Sequence, residues 1–230
     1  MKVAFISDIH SNIEALSAVM EDIKSQRIEK IICCGDIVGY NANPNECCFT
    51  IKSLGIKTVM GNHDFAGSSL KDLNKFNDYA KASLEWTNKV LKKEYKEFLL
   101  KLPKTYKEKI GEFDLFVVHG SPSDPLYEYV FPQTSDYDLK NFLEKTKSDI
   151  IVVGHTHIPF VKRYGRKLFI NCGSVGQPRD SDPRACYCII DFETLRVELR
   201  KVKYDIDSAA KKVITSGLPR YLAERLYLGR

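Results

Sequence analysis

The sequence predicts an α/β protein, and three observations carry the prediction. Short apolar runs alternate with segments whose apolar residues recur at helical spacing, the pattern of βαβ units and a largely parallel sheet with right-handed crossovers. Five of those runs end abruptly in glycine, aspartate, asparagine or histidine. Beyond Pro159 the period changes to short β-rich runs split by turn residues, which predicts antiparallel hairpins.

Lys2 to Ile6 (KVAFI) reads as the first strand. Ser11 and Glu14 behind it stand at capping-box spacing, and Ile13, Leu16, Val19, Met20 and Ile23 follow at helical period, so an amphipathic helix comes next. Lys30 to Cys34 is the second strand. Asn43 as N-cap, Pro44 at the first helical position and Gly55 as the stop bound the helix after it. Ile56 to Met60 is the third strand. Residues 65–110 then turn polar and helical, a helical insertion with Tyr79, Leu84, Trp86, Val90, Phe98 and Leu99 as its packing contacts. Phe113 to Val118 resumes the sheet, a helix opening at Ser135 follows, and Asp149 to Val153 is the fifth strand. FVKRY, KLFIN, ACYCIID and TLRVELRKV then read as hairpins of a second sheet against the first, and two short helices broken at Gly217 to Pro219 close the chain. No repeat, low-complexity tract or linker interrupts it, so residues 1–230 read as a single domain.

Hydrophobic content of 43% and charged content of 28% are those of a soluble globular protein. No apolar run approaches the roughly 20 residues that span a bilayer, which argues against a membrane protein and for a cytoplasmic one. The formal charge of +5 is the small difference between 35 basic and 30 acidic residues. In the most lysine-rich stretch, residues 89–110, glutamates interrupt the lysines, so a solvated helix face is expected and a nucleic-acid partner is not indicated. The sequence carries no signature of an oligomeric state. Its seven cysteines make no C-x-x-C pair and sit mostly in apolar segments, as small buried hydrophobes do in a reducing compartment.

The chemistry is expected at the strand ends. Asp8 and His10 follow the first strand, Asp36 the second, Asn62, His63 and Asp64 the third, His119 the fourth, and His155 and His157 the fifth. In an open α/β sheet the loops at the carboxyl edge converge on one crevice, so these groups should meet. All five histidines of the chain lie in these loops, and none lies beyond His157. Side chains scattered for packing or solubility would not concentrate in this way. Asp, Asn and His together make a nitrogen and oxygen donor set that suits borderline divalent ions such as Mn, Fe, Ni, Co or Zn. Seven candidate donors exceed the needs of one tetrahedral ion, whereas two ions about 3.5 to 4 Å apart can share a carboxylate between them.

DIHSN, GDIVGY, GNHD, VVHG and GHTH, in this order, resemble the motifs of the calcineurin-like metallophosphoesterases, in particular their small single-domain branch, and NCGSVGQPRD at Asn171 to Asp180 resembles a further loop of that branch. The resemblance implies a four-layer α/β/β/α sandwich with a dimetal site at the sheet edge. It implies one ion held by Asp8, His10, Asp36 and His157 and another by Asp36, Asn62, His119 and His155, with Asp36 as the bridge, a role that suits a two-oxygen anion. Manganese is the expected metal, with nickel, iron, cobalt and zinc as alternatives. His63 is left to protonate or hydrogen-bond the leaving oxygen; Asp64 either orients it or bonds its own loop. The implied reaction is phosphoester hydrolysis by metal-activated water.

Relatives that act on phosphoproteins carry an arginine shortly after the second motif, where this chain has Tyr40 and Asn41. A small phosphodiester or nucleotide-like substrate is therefore expected, with Arg179 either lending positive charge or serving as a plain surface arginine. Cys172 stands where the branch has proline. A phosphomonoesterase and a non-catalytic scaffold of the same fold remain the alternatives; nucleases of the superfamily carry an additional DNA-gripping domain for which this chain has no room.

Overall fold

Strands that are apolar on both faces need cover on both, and in this protein a second sheet supplies half of it. The computed structural model describes residues 1–28 and 30–230. The strands are β1 (Lys2–Ile6), β2 (Lys30–Cys33), β3 (Lys57–Thr58), β4 (Thr105–Ile110), β5 (Phe113–Val118), β6 (Ile150–Val153), β7 (Phe160–Tyr164), β8 (Lys167–Asn171), β9 (Ala185–Asp191) and β10 (Arg196–Val202). The helices are α1 (Ile13–Ser25), α2 (Pro44–Ser53), α3 (Asn62–Ser69), α4 (Asp78–Val90), α5 (Lys93–Leu100), α6 (Asp136–Thr146), α7 (Ile206–Thr215) and α8 (Arg220–Leu228). Two five-stranded mixed sheets result, in the orders β10-β9-β1-β2-β3 and β4-β5-β6-β8-β7.

Side chains alternate between the two faces of a strand. Val3 and Phe5 of β1 therefore point into the space between the sheets, where they meet Val117, Val152 and Ile170. Ala4 and Ile6 point outward onto Leu16, Val19 and Ile23 of α1 and Cys47 and Ile51 of α2. On the far side, Phe116, Val118, Ile151 and Val153 pack against Leu139, Phe142 and Leu143 of α6. The layers run helix, sheet, sheet, helix, and no helix among the described residues is long and apolar enough to cross a membrane.

The fold departs from the sequence expectations in three places. The five motif-bearing strands do not share one parallel sheet: β1, β2 and β3 lie in the first sheet and β5 and β6 in the second. Nor do the later hairpins make a sheet of their own, since β9 pairs antiparallel with β1 while β8 pairs parallel with β6. Second, the helical insertion stops at Leu100, and Thr105–Ile110 is an edge strand paired antiparallel with β5. Its lysines and glutamate read as a solvated helix face, yet they equally suit a sheet edge guarded against further pairing. Third, Asn12 rather than Ser11 caps α1, its side chain accepting from the Ala15 N–H at 3.0 Å.

Within the insertion, Leu84 and Leu99 are fully buried, while Tyr79 is half exposed and packs at a tilt against Tyr221 of α8. A cluster of Tyr40, Ala80, Ala209, Val213, Leu222 and Leu226 ties α4, α7 and α8 to the loop after β2. The rim of the sheet edge is thus walled by the insertion and by the end of the chain.

Candidate metal centre

Main-chain hydrogen bonds join the loops after β1 and β2, Asp8 N–H to Gly35 O and His10 N–H to Asp36 O at 3.0 Å each, and those after β5 and β6, Gly154 N–H to His119 O at 3.0 Å. The cost appears in the backbone. Asp8, His10, Asp36, His155 and His157 all adopt left-handed conformations, with φ between 47 and 68°. For residues other than glycine this costs on the order of 1 kcal/mol or more each, and such strain persists where the surroundings over-determine it, as functional sites do. Space is equally tight: a Cβ on Gly61 would fall 2.0 Å from Asp36 Oδ1, and one on Gly154 would fall 2.6 Å from Asp8 Oδ2.

Two groups of donors converge. In the first, His10 Nε2 lies 3.1 Å from His157 Nε2 and 3.6 Å from Asp8 Oδ1, and His157 Nε2 lies 3.1 Å from Asp8 Oδ1. In the second, His119 Nε2 lies 3.1 Å from Asn62 Oδ1, 3.1 Å from His155 Nδ1 and 3.2 Å from Asp36 Oδ2. Asp36 Oδ2 is also 3.6 Å from His10 Nε2, so one oxygen faces both groups. Donors about 2.1 Å from a common ion, at octahedral or tetrahedral angles, stand about 3.0 to 3.4 Å apart, close to the spacings found.

The far side of each ring fixes its tautomer. His10 Nδ1 donates to Val38 O at 3.0 Å, His119 Nδ1 to Cys34 O at 2.9 Å and His157 Nδ1 to Gln177 O at 2.5 Å; His155 reverses, with Nε2 3.4 Å from Tyr127 O. A carbonyl accepts only from N–H, so the opposite nitrogens turn bare lone pairs toward one another, as in the supported imidazoles of metal sites. The carboxylates follow suit. Asp8 Oδ2 accepts from His155 N–H at 3.0 Å and Asp36 Oδ1 from His63 N–H at 2.8 Å, while Asp8 Oδ1 and Asp36 Oδ2 are buried without any hydrogen-bond donor. Buried acceptors facing bare lone pairs are unfavourable unless a cation lies among them, and a divalent ion fits each group.

The electrostatics agree. Burial opposes ionisation of Asp8, but His157 and His10 hold its carboxyl well below the usual range, and His119 and His63 do the same for buried Asp36. Burial pulls His155 and His157 down to about 3, helped by His119 and by Arg179 respectively, which keeps both rings neutral and able to ligate. His119 is opposed by burial yet raised to about 10 by Asp36, so a proton and a metal cation are rival partners for that site.

His63 and Asp64 part company. His63 lines the cleft, its ring packed edge-on against His10 at 4.7 Å and Phe76 at 5.0 Å and tilted over Tyr40 at 4.5 Å, with Nδ1 unpartnered. The Asp64 carboxylate instead accepts from four main-chain N–H groups, those of Asp36, Ile37, Val38 and Gly61 at 2.8 to 3.2 Å. No hydrogen bond links it to the His63 ring, so it bonds the loops and does not orient the imidazole. Burial and the charge of Asp36 push it up to about 7, against those four donors.

Arg179 reaches the same cleft and donates to Tyr40 Oη at 3.3 Å and Gln177 Oε1 at 2.9 Å. Six lining residues escaped the sequence reading as site members: Tyr40, Lys75, Phe76, Asn77, Ala80 and Tyr129. Tyr129 stacks on His155 with centroids 3.9 Å apart. It stands in the irregular stretch between β5 and α6, where no period marks it, and Lys75 and Phe76 belong to the insertion, whose aromatics read as packing. The cleft holds about 150 Å³, room for a phosphoryl group and its immediate substituents.

A two-sheet sandwich with a buried nitrogen and oxygen donor cluster at the carboxyl ends of its strands defines a metal-dependent hydrolase. The chain belongs to the calcineurin-like phosphoesterase superfamily, whose domain model matches residues 1–195. It is 45% identical to an uncharacterized protein of Methanocaldococcus jannaschii, over 99% of this chain and 98% of the relative. It is similar to the crystal structure of a metallophosphoesterase from Sphaerobacter thermophilus at 31% identity, with a TM-score of 0.84 and all of both chains covered. It also matches the phosphodiesterase YfcE of Escherichia coli at 22% identity over 86% of this chain and 91% of that protein.

Proposed function

We propose that the protein is a dimetal phosphodiesterase acting on small phosphoesters. The observation that carries this reading is the position of Asp36 Oδ2, buried, without a donor and facing both His10 Nε2 and His119 Nε2. Asp8, His10, His157 and Asp36 would hold one ion, and Asp36, Asn62, His119 and His155 the other. Two such cations supply positive charge to phosphoryl oxygens and lower the pKa of water toward neutrality. Manganese fits a thiolate-free imidazole and carboxylate set, with nickel, iron, cobalt and zinc as alternatives.

The chain's own residues do the rest. His63, beside Asp36 at the wall of the cleft, donates a proton or hydrogen bond to the leaving oxygen. Arg179 and Lys75 put positive charge at the rim, and Tyr129 shields His155 from water. The cleft volume and the name of the Escherichia coli relative favour a small diester over a macromolecule. The test is turnover of bis(p-nitrophenyl) phosphate against p-nitrophenyl phosphate by protein loaded with each metal. Preference for the monoester would overturn the diesterase assignment, and absence of both turnover and bound metal would leave a non-catalytic scaffold.

A further inference from the structure

The cleft at the candidate metal centre holds about 150 Å³, so a phosphoryl group and the atoms next to it fit inside and the rest of an ester substrate must lie on the rim. Three aromatic side chains besides the histidines line that cleft: Tyr40, Phe76 and Tyr129. Tyr40 is buried and Phe76 partly buried, each packed on the His63 ring, whereas Tyr129 is 51% exposed. Of the three, Tyr129 is the ring that presents a broad apolar surface to whatever lies beyond the cleft.

Tyr129 does not stand alone. Its ring stacks on His155, with centroids 3.9 Å apart and planes 18° from parallel, and Phe131 stacks on Tyr129 at 5.7 Å and 13°. Phe131 is itself 42% exposed. Two near-parallel rings thus lead from a donor of the candidate metal centre out to solvent. The segment that bears them is fixed. Val130, between them, is buried with Leu139, Phe142 and Leu143 of α6, and the residues flanking an inward-pointing one share a face of an extended chain. Pro132 restricts the backbone of Phe131 to extended conformations, and Phe131 N–H donates to Thr134 Oγ1 while Phe131 O accepts from Thr134 N–H, both at 3.0 Å. Single exposed apolar side chains are ordinary, but a fold gains little by holding two of them stacked and half in water at the mouth of a polar cleft.

We propose that Tyr129 and Phe131 form a stacking platform for a planar heteroaromatic ring carried on the ester group of the substrate, the ring of a nucleobase. A flat ring gains contact over its whole face on such side chains, and a platform already held in place loses little freedom on binding it. The phosphoryl group then occupies the cleft and the base the rim beside His155. This rests on the phosphoesterase reading above and narrows its substrate class to nucleotide esters.

Thymidine 5′-phosphate and 2-deoxyribose 5-phosphate share a sugar and a phosphate and differ by the base, so the pair tests the platform apart from the cleft. In calorimetric titrations of the manganese-loaded protein, thymidine 5′-phosphate should bind roughly tenfold more tightly, within the contribution of one base stacked on an aromatic side chain. Phe131→Ala should bring the two dissociation constants together by weakening the nucleotide, and Phe131→Trp, which restores a ring, should keep the gap or widen it. Equal affinities in the wild type, a gap that survives Phe131→Ala, or a gap that Phe131→Trp abolishes as Phe131→Ala does would overturn the platform. So would binding of neither phosphate by protein that hydrolyses bis(p-nitrophenyl) phosphate, and in each of these cases that turnover leaves the phosphoesterase reading intact. If the wild type neither binds these phosphates nor hydrolyses the diester, the reading beneath the platform fails instead.

Discussion

The main-chain N–H of His63 donates to Asp36 Oδ1 at 2.8 Å. That bond engages one carboxylate oxygen and leaves Oδ2 facing both donor groups, so on the proposed dimetal reading Oδ2 is the oxygen that both ions would share. Asp36→Asn keeps the acceptor for His63 but replaces or neutralises the shared oxygen. Both ions should weaken together by more than about 100-fold, the upper size of effect seen for outer-shell partners alone. Metal content by elemental analysis and turnover of bis(p-nitrophenyl) phosphate check this. Retention of one ion at full affinity would count against a bridge.

His155 and His157 stand two residues apart yet face different groups. His157 Nε2 meets Asp8 and His10, while His155 Nδ1 meets His119. His157→Ala should therefore empty the Asp8 group first and His155→Ala the Asn62 group first, each with a loss of about 10² or more in turnover. Titration with manganese, read by calorimetry, should show one tight site surviving in each variant. Equal weakening of both sites by either change would refute the division.

The residues that converge at the strand ends were legible because each terminates an apolar strand and because five motifs come in a fixed order. What the sequence could not display was which sheet each strand joins. Ile32 and Val152 are both fully buried in long apolar runs, and a strand covered by a helix reads the same as one covered by another sheet. Lys107 and Lys109 of β4 have the composition of a solvated helix, so the edge strand was hidden. Tyr129 was out of reach for another reason: it meets the site through a neighbour distant in sequence, His155.

Asp64 accepts from four N–H groups of two loops and makes no hydrogen bond to a ring of the cluster. Asp64→Asn can satisfy at most two of those donors through its remaining carbonyl oxygen, and its amide adds donors where donors already crowd. A stability loss of about 1 to 3 kcal/mol follows from leaving buried donors unmet. Denaturant unfolding measures that directly. Because Asp36 shifts with its loop, metal affinity should fall as well, whereas a role confined to orienting His63 would lower kcat and leave both metal affinity and stability unchanged.

Far from the cleft, Asp22 on α1 joins the helix to the first sheet. Its carboxylate accepts from Arg200 Nε at 2.7 Å and Nη2 at 3.0 Å and from Tyr187 Oη at 2.6 Å. The hydrogen bonds from Arg200 outweigh burial and hold its pKa below 3.8, so the folded state binds a proton less readily than the unfolded chain. A group depressed on folding stabilises fully above its unfolded value, near 4, and progressively less as pH falls through the folded value. Asp22→Asn should thus cost about 1 to 2 kcal/mol at pH 7, since the bonds to Arg200 are charged but partly exposed. The gap between variant and wild type should stay constant from pH 8 down to about 5 and close below about 4. Urea unfolding at a series of pH values reads this out, and a gap that persisted unchanged at pH 3 would show that lost packing, not the charged bond to Arg200, accounts for the cost.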